Sequence, residues 1–196
     1  MKKIKRALVS VSDKEGIVPF VERLRSYKVE ILSTGGTAAA LRQRGIPVVA
    51  VEDVTGTPEM LGGRVKTLHP HLHGGILAQR DRPEQMADAA AHGLPLIDLV
   101  VVNLYPFEAM TGNGDLSLDE ALAYIDIGGV AMLRAAAKNF SDVTVVCLPH
   151  QYEDVLTDLE QNNGATSLAL RQRLALETFQ HTAAYDGAIS AHLHAA

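Results

Sequence analysis

The stretch Ala7-Leu8-Val9-Ser10-Val11 is followed by polar Ser12-Asp13-Lys14, by a segment from Glu15 to Tyr27, and by Val29-Glu30-Ile31-Leu32. The two apolar runs are short and read as buried strands. Between them, Ile17, Phe20, Val21 and Leu24 recur at the spacing of an amphipathic helix. Continuous apolar strands alternating with helices predict a parallel sheet covered on both faces. Working outward, the pattern repeats. Ala38 to Arg44 reads as a helix stopped by Gly45, and Pro47 to Val51 as a third strand. Pro83 to His92 is helical, and Leu96 to Val102 is a strongly apolar strand. Helices over Leu118–Ile125 and Val130–Asn139 flank Asp126-Ile127-Gly128-Gly129. Val143 to Leu148 is the last strand, and helices follow from Gln151 and from Ser167 to the end. The segment Glu52 to Arg82 is rich in glycine, proline and histidine and lacks periodicity; it is expected to be a long functional loop. No linker, repeat or low-complexity segment divides the chain, so one domain over residues 1–196 is expected. The fold class is α/β, a three-layer arrangement with a mostly parallel sheet between helices.

The bulk properties narrow the functions. The chain has 196 residues, 47% of them hydrophobic and 21% charged, with a formal net charge of -5. An acidic chain without a Lys/Arg run is not expected to bind nucleic acid or an anionic membrane surface. No apolar stretch approaches the length of a membrane span. The single cysteine, Cys147, cannot form an internal bridge, which suits a reducing, cytoplasmic setting.

In a doubly wound sheet, ligands sit beyond the carboxyl ends of the strands. Ser10 to Lys14, Ser33-Thr34-Gly35-Gly36-Thr37, Asn103-Leu104-Tyr105-Pro106 and Pro149-His150 all fall there. The Ser33–Thr37 loop offers hydroxyls and backbone N–H groups at a helix start, which suits a phosphate; a plain N-cap is its other reading. Gly62-Gly63-Arg64-Val65-Lys66-Thr67-Leu68-His69-Pro70 places an arginine, a lysine and a threonine in a short loop, where they suit an anionic substrate. His69, His71 and His73 alternate. Pro70 and Gly74-Gly75 argue for a turn, and no cysteine or carboxylate beside them completes a zinc set, so hydrogen-bonded histidines are expected. Asp126 opens an alanine-rich helix carrying Arg134 and Lys138. It reads either as a capping carboxylate or as a functional one, and Lys138 either as a solvated lysine or as a buried proton carrier.

These motifs occur in a recognisable order. Ser10 to Lys14, Ser33 to Thr37, Glu59 to Pro70, Asn103 to Phe107, Ile125 to Gly129, Leu133 to Asn139 and Thr182-Ala183-Ala184-Tyr185-Asp186 together resemble the IMP cyclohydrolase domain of the bifunctional AICAR transformylase/IMP cyclohydrolase family of purine biosynthesis. The resemblance implies a methylglyoxal-synthase-like fold. It also implies closure of FAICAR to IMP with loss of water, without cofactor or metal, in a homodimer. Ser12, Lys14, Ser33, Thr34, Gly35, Gly36 and Thr37 would hold the 5′-phosphate. Arg64, Lys66 and Thr67 would line the reacting end, with Lys66 as donor to the oxyanion. Asn103 and Tyr105 would orient the heterocycle and its amide. Asp126 and Lys138 would form the proton-transfer pair, with Ile127 and Gly128 giving backbone access. Family members usually continue into a folate-dependent transformylase domain, so this chain is expected not to transfer formyl groups. Two other activities fit the same fold: a methylglyoxal synthase acting on a triose phosphate, and a non-enzymatic ligand-sensing module. The second would need the phosphate loop but not Asp126 and Lys138 together.

Overall fold

The protein was analysed as a computed structural model, which describes residues 1–111 and 117–195. In chain order the strands are β1 (Lys2–Lys3), β2 (Arg6–Val11), β3 (Glu30–Ser33), β4 (Val49–Ala50), β5 (Leu99–Asn103), β6 (Thr144–Val146) and β7 (Ala165–Thr166). The helices are α1 (Ile17–Ser26), α2 (Gly35–Gln43), α3 (Val51–Thr55), α4 (Pro70–Leu77), α5 (Pro83–Ala91), α6 (Phe107–Thr111), α7 (Leu118–Ala123), α8 (Gly128–Lys138), α9 (Tyr152–Gln161) and α10 (Leu168–Ala195), with short 3-10 turns at Leu61–Gly63 and Pro149–Gln151.

Five strands form a parallel sheet in the order β4-β3-β2-β5-β6. Successive strand residues point to opposite faces, and all five residues of β5 are buried. Both faces are therefore covered, as the continuous apolar runs predict. Helices α8 and α10 pack on each other and on β6, and α4 packs on α8; α1 packs with α9. The order reverses at β2, which pairs with β3 on one side and β5 on the other. The switch point thus lies between β2 and β5, where Val11 stands beside Asn103. A second small sheet, β1 against β7 antiparallel, was not anticipated. Its strands are two residues each, too short to show alternation.

The Glu52–Arg82 segment is not a continuous loop. Helix α3 begins at Val51, where the third strand was expected to run on, and α4 occupies Pro70–Leu77. Pro70 takes the first helical position, which costs no hydrogen bond, and His69 Nδ1 caps the start by accepting from the His71 N–H at 3.1 Å. Gly75 lets the helix lie against the Pro95 carbonyl, which a Cβ would strike. Glycine and proline here serve packing and capping, so they do not mark a loop.

Candidate active site

At the carboxyl ends of β2, β3 and β5 lies a cavity of about 840 Å³. Of the residues to which the resemblance gave a role in binding or catalysis, all but Ser33 and Lys138 line it; the three alternating histidines, Arg134 and Pro149-His150 do not. Ser10, Val11, Gly62, Gly63, Val102, Asp119, Leu122, Ala123, Ile125, Gly129 and Met132 complete the wall.

One end is built around the start of α2. Gly35 has a φ of 53°, in the left-handed region that favours glycine. A Cβ there would stand 3.1 Å from Lys66 Nζ, so that ammonium lies over the helix start. The Lys14 ammonium lies over the neighbouring Gly36 and donates to the Ser12 carbonyl at 3.1 Å. Thr34 precedes the helix without capping it, and its Oγ1 is buried with no hydrogen-bond partner. A buried hydroxyl left unpaired costs stability unless a ligand completes it. Thr37 differs. Its Oγ1 accepts from the Val11 N–H and donates to the Val11 carbonyl, both at 3.0 Å, so the hydroxyl ties β2 to α2 and is already spent. Ser33 is fully buried behind the wall, and its Oγ also lacks a partner.

The switch point is braced by Asn103. Its Oδ1 accepts from the N–H groups of Ser12 at 2.5 Å and Asp13 at 3.0 Å, and its Nδ2 donates to the Asp13 carbonyl at 2.8 Å. With its oxygen accepting twice and one N–H given to Asp13, Asn103 shapes the Ser12–Lys14 loop and keeps its second N–H for a ligand. Tyr105 is half exposed on the same rim.

The other end is the turn between α7 and α8. Asp126 Oδ1 accepts from the Gly129 N–H at 2.7 Å, leaving the Gly128 N–H at the helix start without an intrahelical partner. A Cβ on Gly128 would collide with Thr67 Oγ1, which fixes the close approach of the Arg64–Thr67 segment to α8. Burial pushes the Asp126 carboxyl above the usual carboxylate range, against the Gly129 hydrogen bond and the Lys66 charge, which both pull it down.

Among the described residues none of Lys14, Arg64 and Lys66 is in a salt bridge. In a protein of net charge -5, three unpaired cations and two helix starts facing one cavity make a local anion-attracting field.

The expected Asp126–Lys138 pair is not formed. Lys138 ends α8, while Asp126 precedes its start; at 1.5 Å rise per residue the helix of 11 residues holds them far apart. Lys138 is exposed and, with Arg134, borders a separate groove lined by Leu77, Phe140, Leu176 and Phe179. The alanine-rich sequence around it is the buried side of the helix; Arg134 and Lys138, four apart, share the solvated side. The cation whose charge reaches Asp126 is Lys66, from its place over Gly35. The three histidines go separate ways. His69 caps α4, His71 Nδ1 donates to the Val54 carbonyl at 3.0 Å, and His73 Nε2 donates to the Thr67 carbonyl at 3.1 Å. Tyr185, which the sequence offers only as part of the Thr182–Asp186 motif, accepts a hydrogen bond from the Asp126 N–H at 2.9 Å.

A parallel sheet between helices, with a cation-lined cavity at its switch point, defines a doubly wound α/β protein. The family comparisons agree: residues 16–131 match the MGS-like domain, and residues 136–196 match the AICARFT/IMPCHase bienzyme. The chain belongs to the MGS-like domain family. It is 58% identical over 190 residues to the bifunctional purine biosynthesis protein PurH of Listeria monocytogenes serotype 4b, and equally so to that of Listeria welshimeri. Each alignment covers 97% of this chain and 37% of the relative, so the chain spans little more than a third of the length of these curated relatives. The crystal structure of ForH superposes with a TM-score of 0.84 at 37% identity, over 95% of both chains.

Proposed function

We propose that this chain is an IMP cyclohydrolase, folded as one domain, that closes FAICAR to IMP with loss of water. The observation that carries the reading is a single cavity with Asp126 at the start of α8, Lys14 and the unpaired Thr34 hydroxyl at the start of α2, and the Lys66 ammonium over Gly35, close enough for its charge to act on Asp126. The similarity to PurH relatives and to the AICARFT/IMPCHase bienzyme supports the same substrate.

The chemistry follows from the two ends. The 5′-phosphate is held by Lys14, Thr34 Oγ1 and the N–H groups of Gly35 and Gly36. This fixes the substrate so that its carboxamide nitrogen meets its formyl carbon. A carbon–nitrogen bond forms, and Asp126 takes the proton the amide nitrogen must lose. The raised affinity of Asp126 for a proton suits a base that later returns it. Negative charge on the formyl oxygen meets Lys66 Nζ and the free Gly128 N–H. That oxygen takes back from Asp126 the proton the amide lost, takes the second from the N–H of the former formamide, and departs as water as the double bond to that nitrogen forms. Tyr105 and Ile127 flank the base, and Arg64 adds charge at the reacting end. No step needs a cofactor or a metal.

A homodimer in the cytoplasm completes the proposal. The exposed apolar strip of Leu176 and Phe179 on α10 supports self-association, and the lone buried Cys147 suits a reducing compartment.

The separation of Asp126 from Lys138 favours a second reading, a ligand-sensing module that binds the nucleotide without turning it over. Lys66, whose charge acts on Asp126 from within the same cavity, weighs against it, because binding alone does not require a cation acting on that carboxylate. FAICAR supplied without folate and in the presence of a chelator separates the two. Rising IMP absorbance in proportion to enzyme is expected. Tight binding of IMP with no turnover would replace the enzyme by the sensor.

A further inference from the structure

Asp126 acts only if its carboxyl is aimed, and the structure shows what aims it from outside the cavity. Tyr185 lies near the middle of α10, 59 residues from Asp126, and does not line the cavity. Its hydroxyl accepts from the Asp126 N–H at 2.9 Å and donates to the Tyr124 carbonyl at 3.2 Å. Tyr124 is the C-terminal cap of α7, and Asp126 stands just before α8. One phenol thus bridges the two backbone groups that define the turn. The ring cannot easily shift: Tyr185 is 8% exposed and packs edge-on against Phe107 at 6.3 Å between centroids. Burial, with the nearby Asp126 and Asp186 charges, raises the phenol further above its ordinary value, so it keeps the proton it donates.

We propose that Tyr185 is a positioning residue for the ring closure, holding the Asp126 backbone so that its carboxylate and the start of α8 face the reacting atoms. This rests on the cyclohydrolase reading above. The Asp126 side chain is held by one hydrogen bond, from Gly129 three residues further on, while the Tyr124 carbonyl lies two residues before Asp126. If the backbone N–H loses its partner, the turn can rotate and carry both the carboxylate and the Gly128 N–H away. The phosphate end, built from β2, β3 and α2, shares none of these contacts.

Tyr185→Phe keeps the ring and removes the bridge. Steady-state FAICAR cyclisation should show kcat lower by about tenfold, the scale of a sub-ångström misplacement, with KM within about twofold. Protection of the Asp126 amide from hydrogen exchange, read by NMR, should fall relative to wild type while the amides of α2 stay protected. Unchanged kcat with lost protection, or a KM rise equal to the kcat fall, would overturn the positioning role. If the variant fails to fold, Tyr185→3-fluorotyrosine retains volume and weakens the acceptor, and a smaller kcat loss at constant KM is expected; no loss would overturn the proposal. The exchange arm needs no turnover. An inactive wild type with a protected Asp126 amide would therefore sink the cyclohydrolase reading and leave the bridge standing, whereas an unprotected amide in wild type would sink the bridge itself.

Discussion

The two ends of the cavity are built on opposite plans. At the α2 end a hydroxyl and the helix-start N–H groups are left without protein partners, and cations stand over them. At the α8 end the carboxylate is held in place, with the Gly128 N–H open beside it: Asp126 is bonded through its side chain to Gly129 and through its backbone to Tyr185. Groups left open in the free protein are filled by substrate in ground and transition states alike, so they set affinity. A held carboxylate with an elevated proton affinity is suited to a proton that moves only during reaction. Binding and chemistry are thereby assigned to different secondary-structure elements.

The largest expected effect is at the α8 end. Asp126→Asn should lower kcat by about a thousandfold, within the range of a lost general base, with KM little changed. The same variant should be more stable than wild type at pH 8. Asp126 binds its proton more tightly folded than unfolded, so its contribution to stability is full below the ordinary carboxylate pKa. That contribution is lost as pH rises through the raised value. Thermal melts at pH 8 and pH 3 should show the gap at the first and its closure at the second. Equal melting temperatures at pH 8 would contradict the burial of this carboxylate.

Next in size, Lys14→Ala should raise KM by about ten- to a hundredfold with kcat within about threefold, the signature of uniform binding. A kcat loss as large as that of Asp126→Asn would erase the distinction between the ends.

A smaller effect tests the scaffold behind both. Asp142, although buried, is held below the usual carboxylate range by Lys2, 2.6 Å away, and by Arg80. Its contribution is present above the ordinary pKa and lost as pH falls through the lowered one. Asp142→Asn should lower the melting temperature at pH 7 by about 3–6 °C, with the gap closing in acid. A gap that stays constant with pH would assign the loss to packing.

Lys138→Ala should do least, leaving kcat within about threefold, because the side chain faces solvent at the far end of α8. A loss beyond tenfold would mean that Lys138 reaches a cavity other than that of its own chain.

Much of this layout was legible in residue order. Apolar runs located four of the five strands of the main sheet with useful bounds, because strands buried on both faces leave an uninterrupted signature. The remaining one, β4 at Val49–Ala50, is an edge strand of two residues and gave only its position. The cavity wall was legible because strand ends in a parallel sheet converge. Three features were not. Helix α4 hid behind Gly74-Gly75 and Pro70, since its glycine is used for close packing and its proline for a helix start. Lys138 looked buried because alanines surround it in sequence, although helical geometry turns it to the opposite side. The division of labour among hydroxyls was also invisible. Thr34 and Thr37 are alike in sequence, yet one is open and the other is tied to Val11. Only the register of β2 against α2 distinguishes them.

The separation of the two ends is tested most directly by the FAICAR concentration dependence of IMP formation, without folate or metal, for wild type, Asp126→Asn and Lys14→Ala side by side. The expected result is a saturable wild type, a variant at Asp126 that saturates at the same concentration with almost no turnover, and a variant at Lys14 that reaches near-normal turnover only at much higher FAICAR. Parallel losses of kcat and KM in both variants, or no IMP from wild type, would contradict it.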